Sequence, residues 1–366
     1  MKIADFTLYK FTLPLVRPII VKGVKLNERT GFVIKLADEN GHCGFGEISP
    51  LPGLSAEDLE TAASQLHALR YSLSGENIPC HVEELSYGFA RWLEKFQLVP
   101  SVRFGFEAAV LNLIADSRNL PLRAVISDVY RDSVSVNGLL SGTRNEILTK
   151  AEQIQKAGYR AVKLKVGRCP LQEEIRLVHD VRERIGDSVA LRLDANRAWS
   201  IEDALVFLDG ISDCPIDYIE EPVHNYNMLV SISDKSGLPP VAMDESLLEL
   251  TPEELTALPN LKAIVLKPTV LGLEKSMRFG RRARFLGITP VLSSSFKTGL
   301  GLTVLAELAA VLNTIDVPVG LATADWFKED LLAEPIQIKK GQLNLSNSVV
   351  HHRQIRQDLL HELENV

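Results

Sequence analysis

Apolar and polar residues alternate from Lys2 to Leu13, the period of a strand with one buried face. The same period returns from Thr30 to Ala37, which runs into the turn cluster Asp38-Glu39-Asn40-Gly41, and again around His42 to Glu47. A Pro/Gly loop, GEISPLPGLSAEDL, follows, and Ser55 with Asp58 three residues later predicts a helix N-cap there. Helical spacing fills much of residues 56–117. The first third therefore predicts an α+β unit.

From about residue 133 the period changes. Apolar runs predict buried strands at 134–140, 160–166, 189–195, 216–221, 240–245, 263–268, 289–294 and, more weakly, 319–325, with amphipathic helices between them. Ser200 with Asp203 predicts one helix start, and Thr251-Pro252-Glu253-Glu254 another, with proline at the first helical position. Eight strands alternating with helices predict a closed parallel (β/α) barrel. An open doubly wound sheet is the alternative, but no GxGxxG follows an early strand and there is no Walker loop. The expected organisation is α/β: an α+β capping domain over residues 1–125, a barrel over 126–334, and residues 335–366 returning to the cap.

The length of 366 residues suits two domains, and 46% hydrophobic with 24% charged residues is ordinary for a soluble globular chain. The net charge of −7 is dispersed without a basic stripe, which argues against a nucleic-acid partner. Cys43, Cys80, Cys169 and Cys214 are scattered and form no CxxC pair, as expected of reduced thiols. The opening MKIADFTLYKFTLP is not of signal-peptide type, and no run approaches the ~18 apolar residues of a membrane span. A cytoplasmic enzyme is expected.

Buried parallel strands should be almost wholly apolar, yet five consecutive strands carry charge near their C-terminal ends, where barrels place their sites. Lys163 and Lys165 are two apart, so both face one way, and two like charges held together favour a neutral amine able to accept a proton. Arg192, Asp194 and Asn196 share a face of the third strand. Glu220 ends the fourth, Asp244 the fifth and Lys267 the sixth, while Ser293 and Ser295 share a face at the seventh and are candidates for holding substrate. Asp194, Glu220, Asp244 and Lys267 are spaced by 26, 24 and 23 residues, about one βα unit each, so they belong at one rim. Three carboxylates in a small space need a cation, and hard oxygen ligands without His or Cys select Mg2+ or Mn2+. In a closed barrel the sixth strand lies across from the second, which sets Lys267 and Lys165 on opposite faces of a substrate. This set suits removal of a proton α to a carboxylate, which leaves an enediolate. A divalent cation against that charge is worth roughly twice the ~4 kcal/mol of two unit charges 4 Å apart at an effective dielectric of about 20.

These residues, KLK and then Asp, Glu, Asp and Lys on successive strands, resemble the signature of the enolase superfamily in its muconate-lactonizing subgroup. Longer stretches resemble the o-succinylbenzoate synthase family: GFGEISPLPGLS (44–55), SVRFGFEAAV (101–110), LRLDANRAWS (191–200), YIEEP (218–222), MDESL (243–247), VLKPTVLGLEK (265–275) and LSSSFKTGLGL (292–302). The resemblance covers nearly the whole chain. It implies dehydration of 2-succinyl-6-hydroxy-2,4-cyclohexadiene-1-carboxylate to 2-succinylbenzoate, a step in menaquinone synthesis. It also implies Lys165 as base and then acid, Lys267 as the charge on the opposite face, and Lys163 as a group that tunes Lys165 and approaches the carboxylate. Asp194, Glu220 and Asp244 would hold magnesium, with Arg192, Asn196 and Ser293 around them or the substrate. The GEISPLPG loop and residues 15–30 would be cap loops closing on the site. One departure stands out: the family commonly has an acid where this chain has Lys297.

Three other readings stay open on residue content. N-succinylamino acid racemases and dipeptide epimerases use the same two lysines. A metal-free lyase forming a Schiff base on Lys267 or Lys165 leaves the carboxylates without a role, and a non-catalytic binding barrel leaves the whole set without one.

Overall fold

Strands β1 (Ile3–Val21), β2 (Val24–Asp38) and β3 (Cys43–Ile48) form an antiparallel sheet. The computed structural model describes residues 1–73, 76–79, 82, 85, 87–346 and 354–363, so Cys80 lies outside the described residues. Cys43, Cys169 and Cys214 are free thiols. The β1–β2 hairpin turns at Lys22-Gly23, with φ of 44° and 84°, the left-handed pair that matches strand twist. Residues 15–30, expected as a loop, are the outer end of this hairpin. After a bulge between Pro14 and Ile19, the β-branched run pairs from Ile19↔Leu26 to Val21↔Val24.

Four helices follow: α1 (Leu59–Leu73), α2 (Tyr87–Glu94), α3 (Pro100–Arg118) and α4 (Leu122–Ile126). Asp58, rather than Ser55, caps α1 by accepting the Thr61 N–H at 2.8 Å, because it immediately precedes the first turn. The Ser55 hydroxyl instead accepts from Leu51 N at 2.9 Å and closes the loop on itself. Helix α3 lies directly on β3 because the strand offers glycine there. A Cβ on Gly46 would sit 1.8 Å from the Gly105 carbonyl oxygen, and one on Gly44 2.0 Å from that of Ala109.

The second unit is built on β4 (Ser133–Ser135), β5 (Gly138–Leu140), β6 (Ala161–Lys165), β7 (Ala190–Asp194), β8 (Tyr218–Glu220), β9 (Val241–Met243), β10 (Leu261–Leu266) and β11 (Thr289–Leu292). Strands β5 to β11 pair in sequence order as a parallel seven-stranded sheet. The eighth expected strand is reduced to bridges, Ser293↔Gly320 and Val136↔Val319, which close the ring. Gly320 N donates to Leu292 O at 2.8 Å and Asn137 N to Val319 O at 2.9 Å. Its sequence, VGLATAD, is poor in the β-branched residues that favour a longer strand. The first expected strand is split, because β4 pairs outside the ring with β13 (Gln342–Asn344), itself paired to β12 (Ile338–Lys339). Farther on, β14 (His361–Glu362) pairs with β1 of the first sheet. Tyr218, Ala242, Ala263, Val265, Val291 and Val317 form one buried cluster within the ring, the alanines leaving room for the tyrosine.

The outer helices are α5 (Arg144–Lys156), α6 (Leu171–Ile185), α7 (Ile201–Gly210), α8 (Tyr226–Ser233), α9 (Pro268–Leu271), α10 (Leu273–Phe285) and α11 (Gly299–Leu312). Ser200 caps α7, accepting Asp203 N at 3.1 Å. No helix follows Thr251. Glu254 accepts from Thr251 N at 2.7 Å, but Pro259 lies within two turns and the segment remains a turn.

Two acids of the first unit enter N-termini of barrel helices. Glu47, at the end of β3, accepts Thr298 N at 3.2 Å and Gly301 N at 3.1 Å at the start of α11. Glu107 of α3 accepts Leu273 N and, at 3.3 Å, Glu274 N at the start of α10, and is paired with Arg103 at 3.2 Å. Burial pushes the Glu107 carboxyl up to about 7 against these favourable partners. Its folded pKa lies above its unfolded value, so the native state holds the extra proton between them, and stability falls as pH rises through that window. Between pH 5.5 and 8 this group should take away about 2 kcal/mol. Urea unfolding at the two pH values should show that loss in the wild type and not in Glu107→Gln. An equal pH dependence in both proteins would remove Glu107 as its source.

Candidate active site

Parallel register brings the charged strand ends together. Lys165 pairs with Asp194 and Asp194 with Glu220, while one level below Lys163 pairs with Arg192 and Arg192 with Tyr218. The intervening Leu164, Leu193 and Ile219 are fully buried on the opposite face, towards the helices. A hydrophobic layer on one side thus fixes which way the charged residues point. Asp194 and Glu220 have no exposed surface, and Asp244 and Lys163 very little.

Ammonium groups answer the carboxylates. Lys163 Nζ stands between Asp194 Oδ2, at 2.9 Å, and Glu220 Oε2, at 2.6 Å. Lys165 Nζ donates to Asp194 Oδ2 at 2.6 Å and to Asn196 Oδ1 at 2.7 Å, and Lys267 pairs with Asp244. Burial alone would lower the Lys163 pKa, but Asp194 and Glu220 together raise it well above the usual value. The mutual depression expected from two like charges therefore does not govern Lys163, because acids lie nearer to it. Burial likewise disfavours the Asp194 carboxylate, yet Lys163 and Lys165 hold it far below the usual range. Glu220 goes the other way, raised by burial and by Asp194 beyond what Lys163 offsets. Lys267 is raised, with Asp244 and Glu245 outweighing its burial.

Left-handed backbone shapes the rim. Asn196, Arg197 and Glu221 have φ of 47°, 61° and 42°, a costly region for residues with a Cβ. Asn196 is thereby turned so that its Oδ1 accepts from Lys165 Nζ. Glu221 faces away from Glu220. Its carboxylate accepts Asp244 N at 2.7 Å, Ser246 N at 2.8 Å and Arg197 Nε at 3.1 Å, and so fixes the strand end that carries Asp244. Strand parity alone could have found it, since its neighbour Glu220 takes the inward position. Glu245, also buried, accepts from Asn196 Nδ2 at 3.4 Å.

Other candidates fall elsewhere. Arg192 crosses the floor of the ring, donating to Asp217 Oδ2 at 2.9 Å and Pro318 O at 2.6 Å, both at N-terminal strand ends, away from the rim. Its length carries the guanidinium down to the acid that precedes β8. The Ser295 hydroxyl is turned to Thr269 at 2.7 Å, because the chain leaves strand geometry after Ser293. Ser293 keeps an inward place, its Oγ lying 2.6 Å from where a Cβ on Gly320 would be. A cleft of about 140 Å3 opens beside Lys165, walled by Ser141, Thr143, Arg144 and Arg168.

The donor set suits a hard divalent cation: buried carboxylates only, from three adjacent strands. Among the described residues, no three acidic, histidine or cysteine side chains already surround one point at ligand spacing, because the lysines stand among the acids. Glu220 Oε2 is nevertheless buried without a hydrogen bond of acceptable geometry, although Lys163 Nζ is 2.6 Å away. Close charge without directed bonding is what an oxygen suited to an ion shows.

Two family models match the chain: the MenC N-terminal domain over residues 3–113 and the enolase C-terminal domain-like model over 146–349. The o-succinylbenzoate synthase of Vibrio cholerae is 35% identical over 335 residues, covering 89% of this chain and 91% of that protein. The chloroplastic protein PHYLLO of Arabidopsis thaliana is 30% identical over 346 residues, 85% of this chain, which spans 20% of the length of that relative. Among solved structures, an N-succinyl Arg/Lys racemase from Bacillus cereus matches with a TM-score of 0.82 and 21% identity, covering all of both chains. A dipeptide epimerase from Enterococcus faecalis, complexed with Mg and the dipeptide L-Leu-L-Tyr, matches with a TM-score of 0.79 and 20% identity, covering 98% of this chain and 99% of that one. Likeness at these identities establishes the fold.

Proposed function

This chain belongs to the o-succinylbenzoate synthase family of the enolase superfamily, and from that membership we propose that it dehydrates 2-succinyl-6-hydroxy-2,4-cyclohexadiene-1-carboxylate to 2-succinylbenzoate with magnesium as cofactor. The observation that carries the reading is the level shared by Lys165, Asp194 and Glu220, with Lys163 set between the two acids. Asp194, Glu220 and Asp244 would hold the ion, which supplies positive charge against the substrate carboxylate as it gains electron density.

Lys165 acts as an amine base. It takes the proton from C1, and the electron pair of that bond passes into the carboxylate as an enediolate. As the enediolate collapses, the C6–O bond breaks on the same face and Lys165 returns a proton to the departing hydroxide, which leaves as water while the ring becomes aromatic. One base serves both steps only if both bonds lie on its side, which makes the elimination syn. Asn196 orients the amine through its 2.7 Å contact. Lys267 supplies fixed positive charge from the other face, and Lys163 contributes charge beneath the carboxylate.

Racemisation of N-succinylamino acids is the second reading, favoured by the fold shared with the B. cereus racemase and by the presence of both lysines. The test is loss of diene absorbance on mixing protein with the hydroxycyclohexadiene carboxylate. Conversion is expected with magnesium and should fall at least about a thousandfold in excess chelator, the scale of several kcal/mol of lost charge stabilisation. No conversion by folded, magnesium-loaded protein would reject the dehydratase. Deuterium uptake at the α-carbon of N-succinylamino acids would then support the racemase.

A further inference from the structure

Two buried cations outside the metal and lysine set meet at the root of the loop that follows β3. Arg29, on β2, is 2% exposed and Lys297, beyond β11, is 0% exposed. Arg29 donates through Nη2 to Ser49 O at 2.8 Å, through Nη1 to Pro50 O at 3.0 Å and through Nε to Phe296 O at 3.4 Å. Lys297 Nζ donates to Ser49 Oγ at 2.9 Å and Ser49 O at 3.4 Å, and lies 5.1 Å above the Phe104 ring. The Ser49 hydroxyl passes the chain on to Glu47 Oε1 at 2.6 Å. Glu47 lies 3.9 Å from Lys297 and spends its other oxygen on the start of α11. Glu47 thus faces two buried cations, an arrangement whose desolvation cost a neutral side chain of the same volume would avoid.

Arg29 ties the Ser49–Pro50 backbone to the turn after Ser293, and Lys297, itself part of that turn, reaches Ser49. Phe296 in that turn has φ of 54°, a strained conformation held by its surroundings. From this root the loop runs along the C-terminal rim of the barrel, where Leu51 and Leu54 pack in one cluster with Ile19, Val21, Phe296 and Trp326. We propose that Arg29 and Lys297 are positioning residues: they clamp the loop of residues 49–55 to the turn after β11, so that both present one fixed wall to the part of the substrate remote from the reacting carbon. This rests on the dehydratase reading only for its kinetic consequence, since the clamp itself is a property of the free protein.

Loss of such a clamp weakens ground-state and transition-state binding alike. It raises KM more than it lowers kcat. Burial lowers the Lys297 pKa to about 8, with Glu47 opposing and Arg29 adding to the fall; Glu57 is the other charged group facing it. The clamp should therefore loosen as pH rises past that value.

The experiment compares wild type with Lys297→Met, which keeps volume and removes charge. It reads hydrogen exchange of the Leu54 and Ser55 amides, both bonded to Leu51 O, together with kcat and KM. Exchange should be about tenfold faster in the variant, with KM up about tenfold and kcat changed less than about threefold, the scale of one charged hydrogen bond. In wild type, exchange corrected for intrinsic rate should rise with a midpoint near pH 8, and this rise should be absent from the variant. A folded variant with unchanged exchange overturns the clamp whether or not the protein is active. Changed exchange with unchanged KM reduces it to a structural tie. If Lys297→Met does not fold, Arg29→Met, which removes the other cation on Ser49 and Pro50, is read in the same way, and a folded Arg29→Met with unchanged exchange overturns the clamp. If wild type fails to dehydrate the substrate, the exchange arm still decides the clamp, while the function is rejected separately.

Discussion

Lys165→Ala should lower turnover about 10⁴-fold, the upper end of what one general acid–base group contributes, because the same amine serves proton removal and hydroxide departure. The fold should survive. Asp194 keeps Lys163 at 2.9 Å, so no buried carboxylate is stranded, and the lysine side chain is itself 23% exposed. Circular dichroism should match wild type and magnesium should bind at least as tightly, since a cation beside Asp194 is removed, while product formation disappears. Residual activity within about a hundredfold of wild type would take the base role from Lys165 and move it to Lys267, the other amine at the rim.

Asp194→Asn should weaken magnesium binding by roughly a hundredfold or more, since each carboxylate charge beside a divalent ion is worth several kcal/mol at an effective dielectric near 20. Titration calorimetry reads this without any substrate. The substitution also removes the charge that both Lys163 and Lys165 answer. Turnover should therefore fall even when magnesium is saturating, whereas a pure affinity loss would be restored by excess metal. Unchanged magnesium affinity would remove Asp194 from the ligand set and leave it as a partner of the lysines.

The strand ends were legible because their signal is local. Charge at an otherwise apolar strand end is visible in five consecutive residues, and the near-constant spacing from Asp194 through Lys267 follows from the length of a βα unit. Seven of the expected ring strands are found in order, and the eighth survives as two bridges. Turn chemistry was less faithful. Thr251 N and Oγ1 both donate to the Glu254 carboxylate, which is only part of a helix start, and a capping pattern nucleates nothing when a proline cuts the following segment short.

The sequence by itself determined the fold class and the rim at which acids and lysines gather, because periodicity and spacing depend on neighbours along the chain; the family came separately, from the resemblance of longer stretches such as GEISPLPG and LRLDANRAW. Only the tertiary structure decided where long or polar side chains end. It took Arg192 to the floor through Asp217 and Ser295 to Thr269, and gave Glu221 the task of holding the Asp244 strand. It also decided that Lys163 is governed by acids rather than by its lysine neighbour. Most of all, it joined Glu47 and Ser49 to Lys297, about 250 residues away in sequence. Such contacts exchange water for partners that the fold alone assembles, and no local pattern encodes which partner that will be.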